Sequence, residues 1–403
     1  MFAAEPITTA ADAVNALGVD LLRQSAKPGA NTLLSPYSIQ SALAMTYAGA
    51  EGETRAEMAK VLHYPKDDAE VHRSFAALRK ALDDVMQKSV RDAEQMQKWG
   101  GKVDPITLTI ANRLFGQTGY AFREPFVTLV RDNYGAPFEP LDFAKNSSGA
   151  TKHINTWVED QTRQRIRNLI ADGALNDLTG LVLVNAIYLK APWAEEFHDF
   201  ATKPQTFYLG ANNLINVPMM TAQLAVSYAR REGCTVLALP YRGGDLQFLI
   251  LLPEKVDGLA NLEKNLTARL LTDSAALDRK DVILYLPKFK LEPPVLSLGR
   301  ELQALGMKSA FDQPQGSANF DRIAPRRPDD YLYISEVFHK TFLNLDEKGT
   351  EAAAATAVVA VAASAVREKP KPIEVRVDHP FLFAIQHRPS GACLFLGHVT
   401  DPR

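Results

Sequence analysis

The groups best able to do covalent chemistry are thinly spread in this sequence. It holds 8 His and 2 Cys among 403 residues, and none stands at a spacing that catalysis uses. There is no G-x-S-x-G elbow, no H-E-x-x-H, no phosphate-cradling P-loop and no G-x-G-x-x-G after a strand. His339 lies beside Lys340 inside a strand-like run and reads as a hydrogen-bonded core histidine. Ser35 and Ser38 flank a helix start, where serine hydroxyls cap and pack. The acid pairs Glu195-Glu196 and Asp67-Asp68 read as solvated surface. Cys234 and Cys393 have no metal-type spacing and read as two small, half-buried thiols, with pairing left open. These residues give no support for an enzyme, a metal or a cofactor.

The bulk properties narrow the partners. A formal net charge of -2 offers no attraction to nucleic acid or to an anionic membrane. No uninterrupted apolar run reaches the ~20 residues that a membrane span needs. Lys80, Lys88, Arg91, Lys98 and Lys102 are interleaved with acids, as on a solvated helix face, so a glycosaminoglycan site is not expected. Met1 to Glu5 fits the trimmed remnant of a signal peptide, and a secreted, extracellular or periplasmic protein is the expectation. A cytosolic start fits those residues nearly as well. Asn146-Ser-Ser and Asn265-Leu-Thr are glycosylation sequons if the host glycosylates.

Helical spacing runs from Thr9 to Ser25, from Ser35-Pro36 through Tyr47, from Thr54 to Leu62 and from Ala69 to Lys88. A long amphipathic helix is expected from Ser147 to Ile170, and a short one from Leu296 to Leu305. Strands are expected at Asn31 to Leu34, at Ile106 to Phe115, and at Leu181 to Leu189, the last buried on both faces. More follow between Val217 and Leu252, at Val282 to Leu291, Tyr331 to Leu345, Phe381 to Ile385 and Leu394 to Val399. Helices dominate the first third and strands the rest. That segregation predicts an α+β fold in a single domain, 1–403.

One stretch fits none of these roles. Asp346 to Val366 reads DEKGTEAAAATAVVAVAASAV. It is too short and alanine-rich for a span, too poor in Gly, Ser and Pro for a linker, and weakened as a helix by Thr356, Val358 and Val359.

Taken together, the strings resemble the serpin family over nearly the whole chain. Asn31-Thr-Leu-Leu-Ser-Pro-Tyr-Ser-Ile39, Gly49-Ala-Glu-Gly-Glu-Thr54, Ile154-Asn-Thr-Trp-Val-Glu-Asp-Gln-Thr162 and Val184-Asn-Ala-Ile-Tyr-Leu-Lys-Ala-Pro-Trp193 carry the likeness. So do Asp346-Glu-Lys-Gly-Thr-Glu-Ala-Ala353, His379-Pro-Phe-Leu-Phe383 and Phe395-Leu-Gly-His-Val-Thr-Asp-Pro402. The resemblance implies three β-sheets, eight or nine helices and an exposed reactive loop over about 349–372. It implies a suicide substrate for a serine protease, in which the cut loop inserts into the large sheet and the protease is held as a covalent acyl complex. It implies a monomer at risk of loop-sheet polymers.

The resemblance also implies site residues. The hinge would be Glu347, Gly349, Thr350, Glu351, Ala352, Ala353, Ala354 and Ala355. A shutter beneath the large sheet would match Ser35, Ser38, Asn185 and His339. A breach at its top would match Trp193, Lys288 and Glu347, with Lys288 pairing to the glutamate. Family spacing places the reactive bond at Ala363-Ser364, which suits an elastase-like or subtilisin-like protease with a shallow pocket. A trypsin-like cut at Arg367-Glu368 is the alternative register.

Residue types then say whether this loop is able to insert. Thr350, Ala352, Ala354, Thr356, Val358, Ala360 and Ala362 would share one strand face, and all are small or β-branched and uncharged. Glu351 falls on the other face. No proline interrupts the run before Pro370. An inhibitory protein is therefore expected over a non-inhibitory carrier or chaperone of the same fold.

Overall fold

The computed structural model describes residues 7–101, 103–231, 233–275, 277–327, 330–351 and 371–403. Ala352, Ala353, Ala354, Ala355, Ala363, Ser364 and Arg367 lie outside these residues. Nine α-helices occur among the described residues: α1 (Thr8–Ser25), α2 (Pro36–Gly49), α3 (Gly52–Val61), α4 (Asp68–Lys98), α5 (Glu124–Tyr134), α6 (Phe143–Gln161), α7 (Leu259–Asn265), α8 (Ala268–Asp273) and α9 (Gly299–Ala304). The strands are β1 (Thr32–Leu34), β2 (Thr107–Gln117), β3 (Glu139–Leu141), β4 (Leu181–Pro192), β5 (Lys203–Gly210), β6 (Asn213–Arg231), β7 (Cys234–Pro240), β8 (Leu246–Pro253) and β9 (Arg279–Pro287). They continue with β10 (Phe289–Leu291), β11 (Leu296–Ser297), β12 (Ile334–Thr341), β13 (Leu343–Asp346), β14 (Gly349–Thr350), β15 (Ile373–Arg376), β16 (Phe381–His387) and β17 (Ala392–Val399).

Hydrogen bonds join these strands into an eight-stranded sheet and a nine-stranded network. The network is shared through β6, which pairs with β5 and β9 over its first part and with β7 at its end. The resemblance implied three sheets; among the described residues hydrogen bonds join the strands into two, because β6 runs continuously through both parts of the second.

The large sheet is centred on β4, whose apolar run is buried on both faces as expected. Val182, Val184 and Ala186 face Ile154 and Val158 of α6, while Leu181 and Leu183 join Ile39 and Leu43 of α2. A strand this apolar is stable only between two layers.

Three expectations are corrected. The helix expected over Ser147 to Ile170 begins as expected after a kink at Asn146, where the backbone is non-helical, but it stops at Gln161. Thr162 Oγ1 accepts from Ile166 N, and Arg163 and Gln164 take positive φ, so the chain turns out of the helix. Ile166 and Ile170 still pack on the sheet, which explains the persistent apolar spacing. The strand expected over Val282 to Leu291 is two strands, broken after Pro287. Proline has no N–H to continue the ladder, so β9 ends in the nine-stranded network and β10 joins the other sheet. The helix expected from Leu296 begins only at Gly299, because Leu296 and Ser297 pair with β12.

The thiols also differ from expectation. Cys234 and Cys393 are unpaired and fully buried rather than half-buried. Burial pushes the Cys393 thiol up to about 12 and raises Cys234, as for inert packing groups. The basic face of α4 is neutralised in part as expected, with Lys80 on Asp84 at 2.9 Å and Lys88 on Asp245 at 2.7 Å. The acid pairs are less free than expected: Asp67 caps α4, and Asp68 pairs with Arg55.

Candidate functional site: a hinge seated in a parted sheet

At the N-terminus of α2, Ser35 caps the helix by accepting from Ser38 N. The Ser35 N–H donates 3.1 Å to His339 Nε2. The other ring nitrogen, Nδ1, therefore carries the proton and donates to Asn185 Oδ1. Ser38 Oγ donates 2.7 Å to Asn112 Oδ1, and Asn112 Nδ2 donates 3.0 Å to the Ser38 carbonyl. All four expected shutter residues are thus brought together and fully buried. Asn112 completes the cluster and was missed. Its cue was an asparagine in a β-branched strand, and its place opposite Asn185 comes from the β2–β4 register.

Full burial pushes His339 down to about 3 from 6.5, so it is neutral at pH 7. An unfolded chain takes up the proton near 6.5 while the folded one does not, so stability falls as pH drops from about 6.5 toward 3. His339→Gln removes that term. The stability gap between wild type and His339→Gln in urea unfolding is therefore expected to shrink steadily from pH 7 to pH 4. A gap independent of pH would contradict a neutral buried imidazole.

At the opposite end of the sheet Trp193 stacks on Tyr241, with centroids 4.6 Å apart. Trp193 Nε1 donates 2.9 Å to the Asp346 carbonyl. Glu347 is 7% exposed. It accepts from Lys288 Nζ at 2.8 Å, as expected, and from Thr202 Oγ1 at 2.8 Å, which was not foreseen. Lys288 follows the proline break, between a strand of each sheet, and this is what lets it reach the hinge. Burial opposes the Glu347 charge, but the Lys288 hydrogen bond and the other donors outweigh it and hold the carboxyl below its usual range.

β14 is wedged between two strands. Gly349 and Thr350 pair antiparallel with Asp346 and Leu345 of β13 on one side and with Pro192 and Ala191 of β4 on the other. Below them the sheet is closed, since Leu181 to Ile187 pair in parallel with Ile334 to Thr341. Thr350 is 1% exposed, with its hydroxyl 2.5 Å from Tyr241 Oη. Gly349 has φ +145°, and a Cβ there would lie 2.2 Å from the Ala191 carbonyl oxygen. Gly349→Ala is expected to cost about 1–3 kcal/mol in urea unfolding, through strain or an unseated hinge. An unchanged midpoint would argue against this seat.

Glu351 ends the wedge. Its N–H donates 2.8 Å to the Asn344 carbonyl, the next ladder bond. Its φ is +48°, and its carboxylate pairs with Arg165. Arg165, in the turn after α6, is a hinge partner that no sequence pattern singled out.

Comparisons with known proteins bear on the family and the fold. The family model described as serpin (serine protease inhibitor) matches residues 12–402. Leukocyte elastase inhibitor of Bos taurus is 38% identical over 384 residues, spanning 93% of this chain and 94% of that protein. An uncharacterized serpin-like protein of Thermococcus kodakarensis is 35% identical, spanning 97% of this chain and 85% of that protein. Among solved structures, uncleaved ovalbumin aligns with TM-score 0.80 at 28% identity, covering 98% of this chain and 100% of that chain. Native protease nexin-1 with heparin aligns with TM-score 0.81 at 27% identity, covering 99% of this chain and 100% of that one. A family match over nearly every residue, relatives aligned over almost their whole length and the same fold in solved structures place this chain in the serpin family.

Proposed function

We infer that the protein inhibits a serine protease as a suicide substrate. The protease serine attacks the Ala363 carbonyl carbon, the Ser364 amine leaves, and the acyl ester persists because the cut loop inserts between β4 and β12. The observation that carries this reading is the register of the seated hinge. Thr350 faces Ala191 on one side and Leu345 on the other. Extending both registers by four residues puts Ala354 opposite Ile187 and opposite Thr341, and those two residues now pair with each other. The two ladders therefore converge on one path for the loop. Continued to Leu181, the first residue of β4, that path takes up residues 349–360, matching the 12 residues of β4. Ala363 then lies just beyond the sheet, at the end where the acyl-linked protease would be carried.

Side chains along this path support it. Ala352, Ala354, Thr356, Val358 and Ala360 would follow Thr350 onto its buried face. Parting β4 from β12 exposes their edges, and the new strand pairs with both, so the backbone groups regain partners. The names of the mammalian relatives and the small residue at 363 favour an elastase-like target, with a subtilisin-like enzyme next.

The test is a denaturing gel after mixing with elastase, subtilisin and trypsin in turn, with mass spectrometry of the released peptide. A gel-stable complex and a peptide beginning at Ser364 are expected with elastase or subtilisin. A peptide beginning at Glu368 with trypsin would move the register, and cleavage without complex would mean a non-inhibitory carrier or chaperone.

A further inference from the structure

Beside Glu351 lies an open cleft of about 550 Å³ between the turn after α6 and strands β4, β10 and β13. Its charged lining is lopsided: Arg163, Arg165, Lys190 and Lys290 face it, against Glu351 alone. Two of the cations have other partners outside the lining. Lys190 is 2.8 Å from Asp104, and Lys290 is 2.9 Å from Glu292. Arg165 is paired with Glu351 itself. Among the described residues no carboxylate pairs with Arg163, whose guanidinium lies 5.9 Å over the Tyr188 ring and 3.5 Å from Thr107 Oγ1.

Glu351 sits in this slot at a cost. Its side chain is 10% exposed, and Oε2 is buried with no hydrogen-bond partner. Its φ of +48° is uncommon for a residue with a Cβ. Burial raises its carboxyl above the usual range although Arg165, Lys190 and Arg163 act the other way. Strain, desolvation and an orphan oxygen thus oppose a few ion pairs, so the seat is held by a small difference. A ligand that binds only the vacated slot shifts such a balance readily. A free tetrahedral oxyanion carries no backbone strain, and it offers paired oxygens that two guanidinium forks match.

We propose that this slot is an effector site for a small multivalent oxyanion, a phosphate or phosphomonoester, which exchanges with the Glu351 carboxylate and so governs whether the hinge is seated. The consequence for protease trapping rests on the inhibitory reading above, whereas binding itself does not.

The experiment uses the full chain without protease. Inorganic phosphate is titrated at constant ionic strength against chloride, with binding read by phosphorus NMR line broadening and by Tm. Saturable binding is expected. Glu351→Gln removes the internal competitor and should tighten it about tenfold, whereas Arg163→Gln, at an exposed turn, should weaken it about tenfold. Glycerol phosphate forms a second arm: equal affinity assigns the site to phosphoryl groups on larger molecules, and a preference for inorganic phosphate assigns it to the free ion. No binding beyond that of chloride would overturn the proposal, and so would an unchanged or weaker affinity in Glu351→Gln. Phosphate binding in a protein that traps no protease would leave the site standing and remove only its proposed role.

Discussion

Under the proposed suicide-substrate function, Thr350→Arg is expected to convert the protein from a trap into a substrate. The protease should still cut the loop, while the yield of gel-stable complex per cleavage falls at least about tenfold. Thr350 is the first residue of the path whose side chain is sealed under the sheet, 1% exposed and against Tyr241. An arginine there would bury an unpaired charge, a penalty of several kcal/mol even after relaxation. Arginine would already leave that seat in the uncleaved protein, and it would carry the same penalty into insertion but not into cleavage, because the proposed scissile bond lies thirteen residues further along the chain. Slower insertion leaves the acyl ester time to hydrolyse. The check is the ratio of complex to cleaved inhibitor by densitometry, with Thr350→Ser as the conservative control. Full complex yield from Thr350→Arg would sink the proposed insertion path.

Glu347→Lys should have the second large effect, on association. Glu347 holds Lys288 and Thr202 at 2.8 Å each, and Trp193 Nε1 binds the neighbouring Asp346 carbonyl. A lysine at 347 would set two ammonium groups together at the top of the sheet and leave Thr202 without its acceptor. The contacts that bind β13 to this corner would loosen, and the edges of β4 and β12 would accept a strand from another copy. Ladder-like oligomers are expected on native gels after mild heating, with a lower Tm. Low pH should mimic the variant. A carboxyl held below its usual range stabilises the corner above its unfolded pKa, and that contribution is lost as pH falls through the folded value. A Glu347→Lys protein that stays monomeric after heating would refute this role.

Much of the molecule was legible in residue order. The caps at Ser35 and the apolar run of β4 are local patterns, and period and end chemistry reveal them. The alternation after Thr350 said that the loop is able to become a strand. Similarity to a known family said where such a strand would go, and the shutter and breach residues came with it.

Other features depended on contacts between residues far apart in sequence. Asn112 meets Ser38 across 74 residues, and Lys288 meets Glu347 across 59. Apolar spacing past Thr162 predicted more helix, because burial continues there while the backbone turns away. Local pattern reports which side chains seek the interior, but not the register in which strands meet or the residue at which a wedge stops. Those are settled when packed sheets bring distant charges such as Arg165 and Glu351 together. The sequence alone therefore determined a loop whose alternating residues suit a strand, and the tertiary structure decided that its first two residues are already in the sheet.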